Sequence, residues 1–265
     1  MPQDPRAELA AIAAAVRAQL EVEAELGGAG VPAFEGELPR PEPAVAAASQ
    51  EPAPPPRAAE AAPAPTEAST ERVDRTERDR RLGQLADEAR ACTACVLHEK
   101  RKNSVFARGN PDAELVFVGE GPGRDEDIQG LPFVGKAGQL LDRMIAAMGF
   151  SQDEIYICNI VKCRPPDNRT PRPEEARACS RFLVPQIELV APKVIVALGR
   201  CAAENLDVAP PEGRWRGRWG QWHGIPVMPT YHPAFLLRSP QFKRAVWEDL
   251  QQVMARFGKK PRGRA

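Results

Sequence analysis

The sequence predicts an α/β fold of three layers, α/β/α, with a short central parallel sheet, preceded by a disordered N-terminal extension. Three observations predict it. The first is a compositional break: residues 1–75 hold six Arg, no Lys and thirteen Asp plus Glu, a net of −7, whereas the remaining 190 residues hold 30 basic and 23 acidic groups, a net of +7. Formal neutrality of the whole is therefore a cancellation of two unlike parts. The second is an alternation of short apolar runs with helical patterns after residue 76, as expected for parallel strands covered on both faces. The third is the stretch Glu114 to Gly138, in which a β-branched run stops at Gly119-Glu120-Gly121-Pro122-Gly123 and an amphipathic helix follows. Strand, glycine turn and helix make a binding corner with the ligand at the carboxyl end of the strand. The glycines alone do not specify the ligand, because neither GxGxxG nor a Walker lysine is present.

In the first 75 residues, twelve of the chain's 28 prolines occur and Phe34 is the only aromatic residue. Such a segment buries too little apolar surface to offset its ordering entropy, so 28–75 reads as an Ala/Pro/Glu linker. Within 7–26, Leu9, Ile12, Val16 and Leu20 fall at near-helical spacing, predicting a marginal helix or a tethered helix that docks a protein partner. No basic start leads into a long apolar run and no stretch could span a membrane, so a cytosolic protein without membrane contact is expected; separately, a monomer is expected.

Residues 76–258 read as one globular domain, with 259–265 a basic tail suited to non-specific phosphate contact. A helix over Arg80–Ala91 delivers Cys92. Strands are predicted at Leu115–Val118, Ile155–Ile160, Val194–Leu198 and Pro226–Thr230. Helices are predicted after the acidic segment (Leu140, Leu141, Met144, Ile145 and Met148 on one face), at Pro173–Val190 with a break at Pro185, at Arg200–Leu206 and at Gln241–Phe257. Glu120 follows the first strand, Asn159 ends the second and His232 follows the fourth, so a parallel sheet brings all three to one rim.

Four of the six cysteines are candidate metal ligands: Cys92 and Cys95 as C-x-x-C, then Cys163 and Cys179. Close spacing without a secretory context points to metal rather than disulfides. Four thiolates suit zinc or an iron–sulfur cluster, and the residues by themselves favour zinc. Cys158 and Cys201 read as packed thiols.

The motifs Gly119-Glu120-Gly121-Pro122-Gly123 with Glu126-Asp127, Gly130-Leu131-Pro132-Phe133-Val134-Gly135, Asn159-Ile160-Val161-Lys162-Cys163-Arg164-Pro165-Pro166 and His232-Pro233-Ala234 resemble, in family order, the family 4 uracil-DNA glycosylases. The resemblance spans Leu82 to Phe257. It implies the uracil-DNA glycosylase-like fold, a 4Fe–4S cluster on Cys92, Cys95, Cys163 and Cys179, and hydrolysis of the N-glycosidic bond of uracil in single- or double-stranded DNA. It also implies that Phe133 stacks on the base and Asn159 reads its O4/N3 edge. Backbone of Gly119 to Gly121 would line the pocket, and His232 would bond O2. Leu236, Leu237 and Arg238 would form a wedge and phosphate contact. The best-known uracil glycosylases carry an aspartate where this chain has Gly121, an absence that family 4 shares. Glu120 is therefore the candidate for positioning water, with Glu126 as a supporting or methyl-excluding neighbour, unless the acidic run Arg124 to Asp127 is only a solvated loop.

A DNA surface is expected from Lys100-Arg101-Lys102, from Arg164, Arg169 and Arg172, and from Arg214-Trp215-Arg216-Gly217-Arg218-Trp219. The alternative functions are a non-catalytic or a covalently trapping uracil-DNA binder. The Lys-Arg-Arg-Ile-His insertion that marks the trapping branch is missing between Phe133 and Asn159 and between Cys163 and Cys179, which favours turnover.

Overall fold

The computed structural model describes residues 74–210 and 213–260. The predicted extension and its helix at 7–26 lie outside them. Helix α1 (Arg75–Ala91) opens on Asp74, whose carboxylate accepts from the Thr76 N–H. There follow β1 (Ala107–Gly109), β2 (Leu115–Gly119), α2 (Arg124–Gln129), α3 (Lys136–Ala147) and β3 (Ile155–Asn159). The chain continues through α4 (Pro173–Val190), β4 (Val194–Leu198), α5 (Arg200–Asn205), β5 (Gly220–Trp222), β6 (Ile225–Thr230), α6 (Pro233–Arg238) and α7 (Lys243–Arg256).

The sheet runs β1-β3-β2-β4-β6-β5. Its four inner strands are parallel, and β1 and β5 pair antiparallel at the two edges. The central parallel sheet is as expected, and the two antiparallel edge strands add to it. Each edge strand has three residues, too few to show an alternation or an apolar run. The inner strands behave as predicted, because β2, β3 and β4 are buried along their whole length, as strands covered on both faces must be.

Alternate residues of these strands enter two separate cores. Val116, Val118, Tyr156, Cys158, Ile195 and Ala197 join Leu82 and Ala89 of α1, Phe182, Leu183 and Ile187 of α4, and Ala202 of α5. Leu115, Phe117, Ile155, Ile157, Val196 and Leu198 join Leu141 and Ile145 of α3, Leu236 of α6, and Leu250 and Val253 of α7. The period of two in the sheet thus sorts helices into two layers. Helix α4 passes through Pro185 without the expected break. The lost hydrogen bond, a cost of about 3 kcal/mol in an isolated helix, is borne by the buried neighbours Leu183, Gln186 and Ile187, which hold the helix to the sheet. No helix among the described residues is long and apolar enough to cross a membrane.

Candidate active site

The carboxyl ends of β2, β3 and β6 open onto one cavity of ≈ 410 Å³ bordered by Glu120, Gly121, Phe133, Asn159, Thr170 and His232. Gly119 and Asn159 are register partners across β2 and β3. A Cβ on Gly119 would lie 2.4 Å from Asn159 Oδ1 and 2.5 Å from Phe133 Cζ. The glycine is thus needed for space, so that an amide and a ring can meet over the backbone. Gly119, expected to line the pocket, is buried behind it, and the lining after this strand begins at Glu120.

Asn159 is 1% exposed, and its Oδ1 is buried without a hydrogen-bond partner. An orphaned buried acceptor is costly, and its retention points to a ligand that supplies the donor. His232 caps α6, its Nδ1 accepting from the Ala234 N–H at 3.1 Å. That bond leaves the proton of the neutral ring on Nε2. Burial, helped by the Arg238 cation, pushes the imidazole down to about 4, so near neutral pH it is an uncharged donor. The Phe133 and His232 rings lie 5.4 Å apart at 31°.

The two acidic candidates differ in kind. Burial pushes the Glu120 carboxyl above its ordinary range, opposed by a hydrogen bond from Thr170. Glu126 is committed to backbone instead: its two oxygens accept from the N–H groups of Gly123 (3.1 Å), Val134 (2.9 Å) and Gly135 (2.9 Å). It fixes the turn before α2 to the loop that carries Phe133, so the solvated-loop expectation is corrected for Glu126, while Arg124 and Asp125 are exposed. Asp127, also buried, accepts from the Lys102 N–H at 2.8 Å and ties the loop after the first cysteine pair to α2.

A second, tighter cavity is bordered by Cys92, Cys95, Cys163 and Cys179 together with Arg101 and Lys162. Sulfur atoms there already accept hydrogen bonds: Cys163 from Arg101 Nη1 at 3.0 Å, Cys179 from the Lys162 N–H at 3.3 Å, and Cys92 from the Ala94 N–H at 3.4 Å. Burial pushes the Cys179 thiol up to about 11, opposed by Lys162. Among the described residues, no three His, Cys, Asp or Glu side chains are grouped closely enough to hold a single metal ion. Cys158 and Cys201 are buried and border neither cavity.

Lys162 is a residue whose function the sequence reading missed. It is 1% exposed, and its Nζ donates to the Asn159 carbonyl at 2.8 Å and to Gln186 Oε1 at 2.6 Å. The signal was a lone cation in the apolar run Ile160-Val161-Lys162-Cys163, where a buried charge needs partners.

Comparison with known proteins now bears on the whole arrangement. Residues 106–251 match the family model of the uracil DNA glycosylase superfamily. Over 180 residues the chain is 45% identical to the type-4 uracil-DNA glycosylase of Thermotoga maritima, covering 64% of this chain and 91% of that one. The chain belongs to the type-4 uracil-DNA glycosylase family. Type-4 enzymes of Saccharolobus solfataricus (43% over 191 residues, 68% of this chain and 88% of that one) and Archaeoglobus fulgidus (43% over 190 residues, 68% and 94%) are similar to it too.

Around the pocket of this family member, the residues expected to face DNA fall into two groups. Leu237 (43% exposed) and Arg238 lie on the surface of α6. Leu236 does not: it is 1% exposed and packs in the core beside α3 and α7, because successive positions on a helix point about 100° apart. Of the basic residues, Arg101 is engaged at Cys163, Arg169 pairs through both nitrogens with Glu175, and Arg216 holds Asp249 at 2.7 and 2.8 Å. Lys259 is likewise part of the folded body, donating to the Gly149 carbonyl and Glu154, so the basic tail begins after it. Lys100, Lys102, Arg172, Arg214 and Arg218 remain exposed.

Proposed function

We propose that this chain excises uracil from DNA by hydrolysing its N-glycosidic bond, with the base flipped into the cavity at the ends of β2, β3 and β6. The observation that carries this reading is Asn159, whose Oδ1 is buried without a partner, on the wall of the same cavity as His232, whose Nδ1 is already occupied. Uracil N3–H supplies the missing donor to Oδ1. Cytosine N3 has no proton and would face an acceptor with an acceptor, which a buried site rejects strongly. The Phe133 ring stacks on the base.

In the reaction the C1′–N1 bond breaks and both of its electrons leave with uracil, whose charge spreads onto O2 and O4. His232 Nε2–H donates to O2, and the bond strengthens as that charge develops. One preorganised donor of this type contributes about 3–4 kcal/mol. A neutral imidazole suits this role, because it keeps its proton throughout. Water adds to C1′ of the oxocarbenium-like sugar. Glu120, on the turn after β2, accepts its hydrogen bond and receives its proton. Leu237 fills the gap left by the flipped nucleotide, anchored from below by Leu236, while Arg238 meets phosphate.

The four cysteines are the ligands of a 4Fe–4S cluster. The reading is supported by their ring around one cavity and by the N–H groups that already face three of the sulfurs. When bound, the cluster supplies structural cross-linking of α1, the segment after β3 and α4. The residues described as binding uracil lie at the other cavity. Iron and acid-labile sulfide analysis separates this from zinc.

The test is a uracil-containing oligonucleotide incubated with the protein and then treated with alkali. Strand cleavage in excess over protein is expected. A denaturant-resistant adduct would mark a trapping protein, and neither product would mark a DNA-binding module.

A further inference from the structure

We propose that Arg108 is a positioning residue for the base-stacking ring, clamping the backbone on which Phe133 is mounted. The inference rests on the reading of Phe133 as the stacking ring.

Phe133 has φ +55°, a left-handed conformation that a bulky residue rarely adopts and that its surroundings must enforce. Two features act on the peptides that flank it. Arg108 Nε donates to the Pro132 carbonyl at 2.9 Å, and its Nη2 donates to the Phe133 carbonyl at 3.4 Å. The same carbonyl is pressed into the first turn of α3, where a Cβ on Gly138 would lie 1.8 Å from it. Guanidinium on one side and the notch at Gly138 on the other leave the peptide one orientation.

The clamp is itself braced. Arg108 Nη2 pairs with Asp142 at 2.5 Å and Nη1 with Gln152 Oε1 at 2.7 Å, while Gln152 Nε2 reaches the same Asp142 oxygen at 3.1 Å. The side chain is 17% exposed. Arginine is suited to the task because its planar fork presents several donors in fixed directions, which a lysine ammonium cannot reproduce. Arg108 lies on β1, the edge strand, and Ile157 of β3 is its register partner, so the clamp takes its position from the strand that ends at Asn159. Ring and amide are thereby referred to the same strand.

The experiment measures affinity for free uracil by calorimetry and the single-turnover excision rate, for Arg108→Met, Arg108→Lys, Phe133→Ala and the double variant Arg108→Met/Phe133→Ala. Loss of a base stack lowers affinity about 5- to 140-fold, so Phe133→Ala should fall in that range. Arg108→Met should lose about tenfold in affinity, and Arg108→Lys should recover less than half of the loss. In the Phe133→Ala background, Arg108→Met should have no further effect on uracil affinity. Equal losses from Arg108→Met in both backgrounds, or full affinity of Arg108→Met while Phe133→Ala is weak, would overturn the clamp alone. Full affinity of Phe133→Ala would overturn the stacking role and the clamp with it. If Arg108→Met does not fold, Gly138→Ala perturbs the same carbonyl from the other side. It should weaken uracil binding only when Phe133 is present, and equal weakening in both backgrounds would overturn the clamp.

Discussion

The two cavities of this molecule are built on opposite principles. The one at the strand ends is roomy and leaves polar groups open: an amide oxygen without a partner, an imidazole nitrogen free, a carboxyl pushed towards its neutral form. The cysteine-lined one is narrow, and three of its sulfurs already receive N–H groups, from Ala94, Arg101 and Lys162. The difference separates a place for something that comes and goes from a place for something that stays. Unmet hydrogen bonds cost stability and are kept where a transient ligand meets them. Donors that converge on sulfur in advance suit permanent thiolates.

The largest expected effect is at the permanent site. If the four cysteines hold the proposed cluster, Cys179→Ala should lose iron and its visible absorption, and lower the melting temperature by about ten degrees or more, on the order expected for loss of a structural metal. An unchanged melting temperature would remove the structural role. Next comes the transient site. His232→Ala should lower the single-turnover rate by roughly 10²–10³, with affinity for uracil-containing duplex nearly intact, because the bond matters most in the transition state. Retention of the native rate would sink the assignment, and loss of fold with the cluster would mean that the α6 cap was its main contribution.

Asn159→Asp should cost about tenfold or more in uracil excision and raise the excision of cytosine relative to uracil, measured on matched oligonucleotides. A variant with unaltered base preference would show that Asn159 does not read the base. A smaller effect concerns pH. Because burial raises Glu120, its carboxylate should be lost at a higher pH than an ordinary glutamate's, giving the rate profile an early acid limb that Glu120→Gln abolishes. His232 should leave no limb above about 4. Its effect falls on stability: the unfolded imidazole titrates near 6.5 and the folded one near 4, so the unfolded chain binds the extra proton between those values. Stability should therefore decline as pH falls from about 6.5 to about 4, and melting curves of His232→Gln should show a shallower decline.

Much of this contrast was legible beforehand. Glu120, Asn159 and His232 could be placed on one rim because each stands at the end of an apolar run, and parallel strands present those ends together. The inner strands were legible for the same reason, since burial on both faces leaves an uninterrupted apolar signature. What could not be read were features fixed by contacts distant in sequence. The edge strand bearing Arg108 has three residues and no periodicity. The commitment of Glu126 to three backbone N–H groups depends on a loop eight residues away, and that of Arg216 to Asp249 on a helix 33 residues away. Leu236 and Leu237 are chemically alike, and only the rotation of α6 decides which one sees solvent.

Lys162 joins the two cavities: it borders the cysteine-lined one, and its amine holds the carbonyl of Asn159. An enzyme that cuts bases from a genome is hazardous if it reads them loosely. On the proposed roles, the reading residue is footed through its main-chain carbonyl on Lys162, which borders the cysteine-lined cavity and immediately precedes Cys163. On those roles, a change at Lys162 would disturb the support of Asn159 and the wall of the cysteine-lined cavity together, so that base reading and the integrity of that cavity stand or fall on one side chain.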